Sequence, residues 1–125
     1  TYVLSHGYYD AYYIKAQQVR RLIAQEFDAI FKNECDVIAA PVSTDAAFRF
    51  DAKADPLSLY LSDLYTVPGS LAGLPGLSLP CGMSEGKLPY GLQLIAPKCE
   101  EGRLLGTAHA YQQATDWHKL VPAGY

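Results

Sequence analysis

The residues able to do chemistry are few and scattered. Histidines stand at His6, His109 and His118, and cysteines at Cys35, Cys81 and Cys99. Neither set recurs at the short intervals that bring ligands onto one metal, and there is no CxxC pair. Cysteines odd in number and far apart argue against a disulfide framework. They read as isolated, buried thiols of a chain kept in a reducing, cytoplasmic compartment. There is no G-x-S-x-G elbow and no phosphate-binding P-loop. His109 falls in a helical stretch and reads as a satisfied or solvent-facing side chain.

Asp63 is the exception. It sits in "LYLSDLYTVP", a neutral and largely apolar setting. A lone carboxylate there needs a partner or a ligand. Either it caps a helix or joins an ion pair, or it meets a polar ligand. The five tyrosines within residues 1–13 also have two readings: a stacking surface for bases, or packing side chains with wet hydroxyls. Packing is the commoner use. Arg20-Arg21 reads as a solvated helix face.

The 125 residues suffice for one small domain. Half of them are hydrophobic, which excludes a disordered composition and allows a real core. A net charge of -3 gives no basic footprint for nucleic acid. No stretch approaches the ~18 apolar residues of a membrane-spanning helix. "TYVLSHGYYD" lacks the basic start and apolar run of a secretory signal. The chain opens without methionine and in mid-pattern, as a piece of a longer protein would.

These residues must be held by recognisable elements. Tyr12, Ala16, Val19, Ile23, Phe27 and Ile30 recur at helical spacing, with Lys15, Gln18, Arg21, Gln25, Asp28 and Lys32 on the other face. This predicts a long amphipathic helix over about 9–33, with Gly7 as a breaker before it and Asp10 suited to its first turn. "DVIAAP" (36–41) reads as a short buried strand stopped by Pro41, and 42–56 as loop with a turn at Asp55-Pro56. One or two helical turns fit 57–65. A further helix is expected after Thr66 as cap, with Pro68 in its early turn and its end before Pro75. Gly69 and Gly73, four apart, would give it one bare face for a close backbone approach. "GLSLP" (76–80) reads as a strand ended by Pro80, and "YGLQLIAP" (90–97) as a strand ended by Pro97. They pair as a hairpin or through neighbours. A helix over 100–117 closes the pattern, with Glu100 and Glu101 at its start and Leu104, Leu105, Ala108 and Tyr111 inward. Interleaved strands and helices indicate α/β. Three short strands are an incomplete sheet.

"GYYDAYYIKAQQVRRLI", "DPLSLYLSDLYTVPGSLAGLPGLSLPCG", "LPYGLQLI" and "AHAYQQATDWH" together resemble the C-terminal part of the amidase signature family. The likeness runs in order over nearly the whole chain. "GYYDAYY" and "DPLSLYLSD" are similar more narrowly to the A subunits of tRNA-dependent amidotransferases. The resemblance implies an α/β fold, a mixed sheet flanked by helices, that is incomplete on its own. Residues 1–125 would be the C-terminal part of a single amidase domain whose catalytic part lies upstream. It also implies an activity. Such an A subunit hydrolyses glutamine, and the ammonia passes to a B subunit that activates mischarged Glu-tRNA(Gln) or Asp-tRNA(Asn) with ATP and magnesium. A small C subunit clamps the two. No cofactor is implied for this chain itself.

In the family, hydrolysis uses a serine nucleophile, a second serine on a cis peptide and a lysine base. None of these, nor the arginine that holds the substrate carboxylate, has a counterpart here. Asp63 matches the aspartate that recognises the substrate's α-amino group, a carboxylate facing an ammonium. Three stretches depart from the family pattern. They are "PVST" (41–44) for the common "PTAP", Ser70 for a common asparagine, and "IAPKCEEG" (95–102) for a version bearing glycine and phenylalanine. The isolated chain is expected to be inactive. An exposed face on the first helix or the sheet edge would favour its self-association. A stand-alone amidase of the same superfamily and a non-catalytic interaction module are the competing readings.

Overall fold

Prolines and glycines set most of the boundaries. The computed structural model describes residues 12–49, 56–85 and 88–121. Within them run helix α1 (Ile14–Asn33), strand β1 (Ile38–Pro41), helices α2 (Pro56–Ser62) and α3 (Val67–Ala72), strands β2 (Gly76–Met83) and β3 (Pro89–Ile95), and helix α4 (Glu101–Ala114). A 3-10 turn at Trp117–Lys119 follows. The readings placed on His6, Gly7, Asp10, Asp55 and the tyrosines before Tyr12 lie outside the described residues.

The three strands form one sheet in the order β1-β3-β2, and each described pairing is antiparallel. β2 and β3 are a hairpin, the first of the two expected pairings. Leu77 opposes Leu94 and Leu79 opposes Leu92. On the other side Ala39 opposes Leu94. Partners across a ladder share a face, so these residues form one apolar surface. α4 covers it with Leu104 and Ala108, and Leu79, Leu94 and Ala96 complete the buried cluster. The 3-10 turn packs on β2. Arg103 ties α4 to the start of β1 by a hydrogen-bonded ion pair to Asp36 at 2.9 Å.

β1 begins at Ile38 rather than 36, α2 ends at Ser62 rather than 65, and β3 ends at Ile95 rather than 97; two further boundaries differ for a visible reason. β2 continues through Pro80 to Met83, with an irregularity between Pro80 and Gly82. The order β1-β3-β2 explains it. Among the described residues β2 is an edge strand, where a missing N–H is tolerated. α4 ends at Ala114 rather than 117, because Thr115 turns extended and its hydroxyl donates back to the Tyr111 carbonyl at 3.0 Å. Its inner face is Leu104, Ala108 and Tyr111. Leu105 is 57% exposed, one position and about 100° round from Leu104.

α1 has the expected spacing but no buried residue. Ile23, Phe27 and Ile30 are half-buried, and Phe27 stacks on Phe31 with ring centroids 6.4 Å apart. Val19, Leu22 and Tyr12 are exposed, Tyr12 by 63%. α1 contacts α3, where the Arg20 Nε–H donates to the Leu71 carbonyl at 2.6 Å. Arg20 is therefore no free solvated side chain; it satisfies an orphan carbonyl at a helix C-terminus.

α3 ends where expected, and its glycines divide the labour. Gly73 adopts φ 73 as the left-handed terminator, and the Leu74 N–H donates to the Gly69 carbonyl at 3.1 Å. That is a Schellman ending. Gly69 alone provides the bare face. A Cβ there would stand 3.2 Å from Ile95 Cδ1, so the close approach is to a side chain rather than to backbone. Thr66 occupies the cap position without a side-chain cap bond; its hydroxyl reaches back to the Asp63 carbonyl at 3.4 Å.

Candidate functional site

The face of the sheet turned from α4 carries small and polar residues along most of its length, with Ile38 and Ile95 opposed at one end. Ser78 and Ala40 oppose Gln93, and Gly76 opposes Ile95. Gly91 accepts the Val42 N–H at 3.0 Å, and a Cβ on Gly91 would stand 2.7 Å from Val42 Cγ2. Glycine is required there for the segment after β1 to lie against β3. The result is space. A cavity of about 810 Å³ is lined by the chain from Ala39 to Asp45, with Tyr65, Ser78, Cys81 and Tyr90 among the rest of its wall. A second, of about 270 Å³, lies between α3 and the sheet, with Thr66, Ser70, Ser78 and Gln93 in its lining.

Asp63 stands in the turn of residues 63–66 that joins α2 to α3, and it is exposed. Its carbonyl accepts the N–H groups of Thr66 at 3.2 Å and Val67 at 3.1 Å. Its carboxylate takes no hydrogen bond or ion pair among the described residues. The capping and salt-bridge readings therefore fail there, and the backbone of Asp63, not its side chain, stabilises the start of α3. The carboxylate keeps its full acceptor capacity for a cationic or donor group. Asp63 is not in the wall of either cavity; Tyr65, two residues on, is in the larger one.

The remaining candidates are not brought together. His109 and His118 are exposed. Cys35 and Cys81 are half-buried, and the Cys81 thiol donates to the Tyr90 carbonyl at 3.6 Å. Cys99 corrects the reading of three buried thiols. It is exposed in the turn before α4, with a left-handed φ of 65. Among the described residues no group of three His, Cys, Asp or Glu is placed to hold a metal ion. Nor is any described helix long and apolar enough to cross a membrane.

Gln93 is the residue that sequence reasoning passed over. It is 8% exposed, the one buried polar side chain among the described residues, and its Nε2 donates to the Tyr65 carbonyl at 3.1 Å. Its signal was a single amide within the apolar run "GLQLI".

The Amidase family model matches residues 1–105, and the chain belongs to that family. Its relatives are narrower. It is 63% identical over 123 residues to the A subunit of glutamyl-tRNA(Gln) amidotransferase from Azoarcus sp. (strain BH72), covering 98% of this chain and 25% of that protein. Among solved structures it resembles the A subunit of glutamyl-tRNA(Gln) amidotransferase from Thermotoga maritima. That match has TM-score 0.71 and 41% identity, over 82% of this chain and 22% of the other. It also resembles the native peptide amidase from Stenotrophomonas maltophilia, with TM-score 0.66 and 29% identity, over 92% of this chain and 22% of the other. The chain spans about a quarter of the length of the curated relatives it matches.

Proposed function

We propose that this chain is the C-terminal part of the amidase domain of a glutamine-hydrolysing amidotransferase subunit. Residues 1–125 belong to one domain, and the nucleophile and its base lie in the portion upstream. The whole subunit releases ammonia from glutamine for transamidation of mischarged Glu-tRNA(Gln) or Asp-tRNA(Asn), a carbon–nitrogen ligase reaction with glutamine as amido donor. It works in the cytoplasm with a B subunit, which uses ATP and magnesium and holds the tRNA, and a C subunit. The observation that carries this reading is the 63% identity, over 98% of the chain, to the A subunit of such an amidotransferase.

Within this reading Asp63 binds the α-amino group of glutamine. An exposed carboxylate with no partner among the described residues is suited to an ammonium. Asp63→Ala in the complete subunit raises the KM for glutamine by roughly tenfold or more, the scale of one hydrogen bond to a charged group. Its melting temperature stays unchanged. An unaltered KM removes the role.

The direct test combines the complete subunit with its B and C partners and follows glutamine-dependent conversion of mischarged tRNA. Failure to convert, together with hydrolysis of an unrelated amide, overturns the proposal. The isolated 125-residue chain is expected to release no ammonia from glutamine; measurable release refutes that part. A stand-alone amidase is the second reading, favoured by the likeness to the peptide amidase over 92% of the chain. Coding regions for B- and C-like subunits beside the gene decide between them.

A further inference from the structure

We infer that Gln93 is a positioning residue, whose buried amide holds the Asp63 turn against the sheet and so sets where that carboxylate meets the substrate's ammonium. The inference rests on the substrate role proposed for Asp63.

Three observations carry it. First, β3 is the central strand, paired on both sides, so the backbone under Gln93 is fixed by two ladders. Second, the Gln93 side chain crosses to the α2–α3 turn and donates to the Tyr65 carbonyl at 3.1 Å. Tyr65 follows Asp63 by two residues, so the carboxylate-bearing residue lies no more than about 7 Å of chain from a point anchored to the sheet. Third, the turn is fixed on its other side as well, since the Asp63 carbonyl accepts the Val67 N–H at 3.1 Å in the first turn of α3. Asp63 is itself one end of this second attachment and lies two residues before the first.

The choice of residue supports a directional role. A buried amide costs stability unless its hydrogen bonds are made, and an aliphatic side chain would fill the same space with nothing to satisfy. Leu92 and Leu94, its neighbours along the strand, serve the other face as plain hydrocarbon. What glutamine adds is a donor aimed at one carbonyl. The bond fixes the distance between sheet and turn, and small displacements at a binding group cost rate steeply.

The experiment uses the complete subunit in complex with its partners. Glutaminase kcat/KM is measured for glutamine and for glutaramic acid, which keeps the amide and carboxylate and lacks the α-amino group. Their ratio does not depend on the folded fraction. Gln93→Met should lower the ratio by roughly tenfold, and Asp63→Ala should lower it at least as far. The double variant should be no lower than Asp63→Ala alone. If Gln93→Met depresses both substrates equally, or if the two losses multiply in the double variant, Gln93 is only structural and the inference falls while Asp63 keeps its role. If Asp63→Ala leaves the ratio intact, the substrate role of Asp63 falls, and this inference with it. Should the Met variant fail to fold, Gln93→Asn carries the same test, because it keeps a buried amide but is one methylene too short to reach Tyr65.

Discussion

The two faces of one three-stranded sheet are built to opposite specifications. Under α4 the strands present Leu77, Leu79, Leu92 and Leu94, which interdigitate with Leu104 and Ala108. On the other face the same strands present Gly76, Ser78, Gly91 and Gln93, with Ile38 and Ile95 only at the end under α3, and that face bears the cavities and the turn carrying Asp63. The period of two lets one strand serve both purposes, because alternate residues never compete for one surface. The lesson is a separation of tasks. Stability is concentrated where side chains are large, and access is created where they are small.

The sharpest way to break this contrast is Leu94→Ala. Leu94 is 3% exposed at the middle of the dense face, so its truncation should cost about 3 kcal/mol in urea denaturation of the complete subunit. The preference for glutamine over glutaramic acid should stay as it was. A change in that preference would show that the faces are not functionally separate. Next in size is Gly91→Ala. The new methyl would meet Val42 Cγ2 at 2.7 Å, an overpacking that costs about 2 kcal/mol. Val42→Ala in the same chain should recover part of the loss, and no recovery would mean that the clash lies elsewhere.

Gly73→Ala tests a helix end rather than either face. A side chain at φ 73 costs about 1 kcal/mol, read as a lower unfolding midpoint. The smallest effect is expected for Gly69→Ala. The methyl approaches Ile95 Cδ1 to 3.2 Å, which the tip of that side chain can relieve, and alanine returns up to ~1 kcal/mol of helix propensity. The net change should lie within about 0.5 kcal/mol in the same titration. A loss several times larger would show the open face to be packed as tightly as the other.

Helices and strands were legible wherever a local rule decided them. The 3.6 period gave α1, and the breakers around "LAGLPG" gave the end of α3 and the start of β2. The α4 inner face followed from spacing except at Leu105, which lies round the helix from the true stripe. What local rules missed was set by neighbours in space. Pro80 reads as a stop, yet it lies inside β2, because only the sheet order reveals that β2 is an edge among the described residues. Gly69 and Gly73 look equivalent by spacing and differ because one meets Ile95 and the other ends the helix. At the candidate site the sequence singled out Asp63, since a lone carboxylate among apolar residues is visible in one dimension. Gln93 was not singled out. Its importance comes from a hydrogen bond across 28 positions to Tyr65.

The attachments of α3 have a mechanical consequence. A helix of six residues has almost no stability of its own, so tertiary contacts alone decide whether it exists and where it points. The Arg20 guanidinium grips its far end, Ile95 bears on its middle at Gly69, and Gln93 steadies the turn that leads into it. Two supports define the direction of a rigid rod, and the third fixes its rotation about its own axis. α3 is thus a short beam seated on the sheet and clamped from α1, and the aspartate at its root inherits its aim from all three bearings.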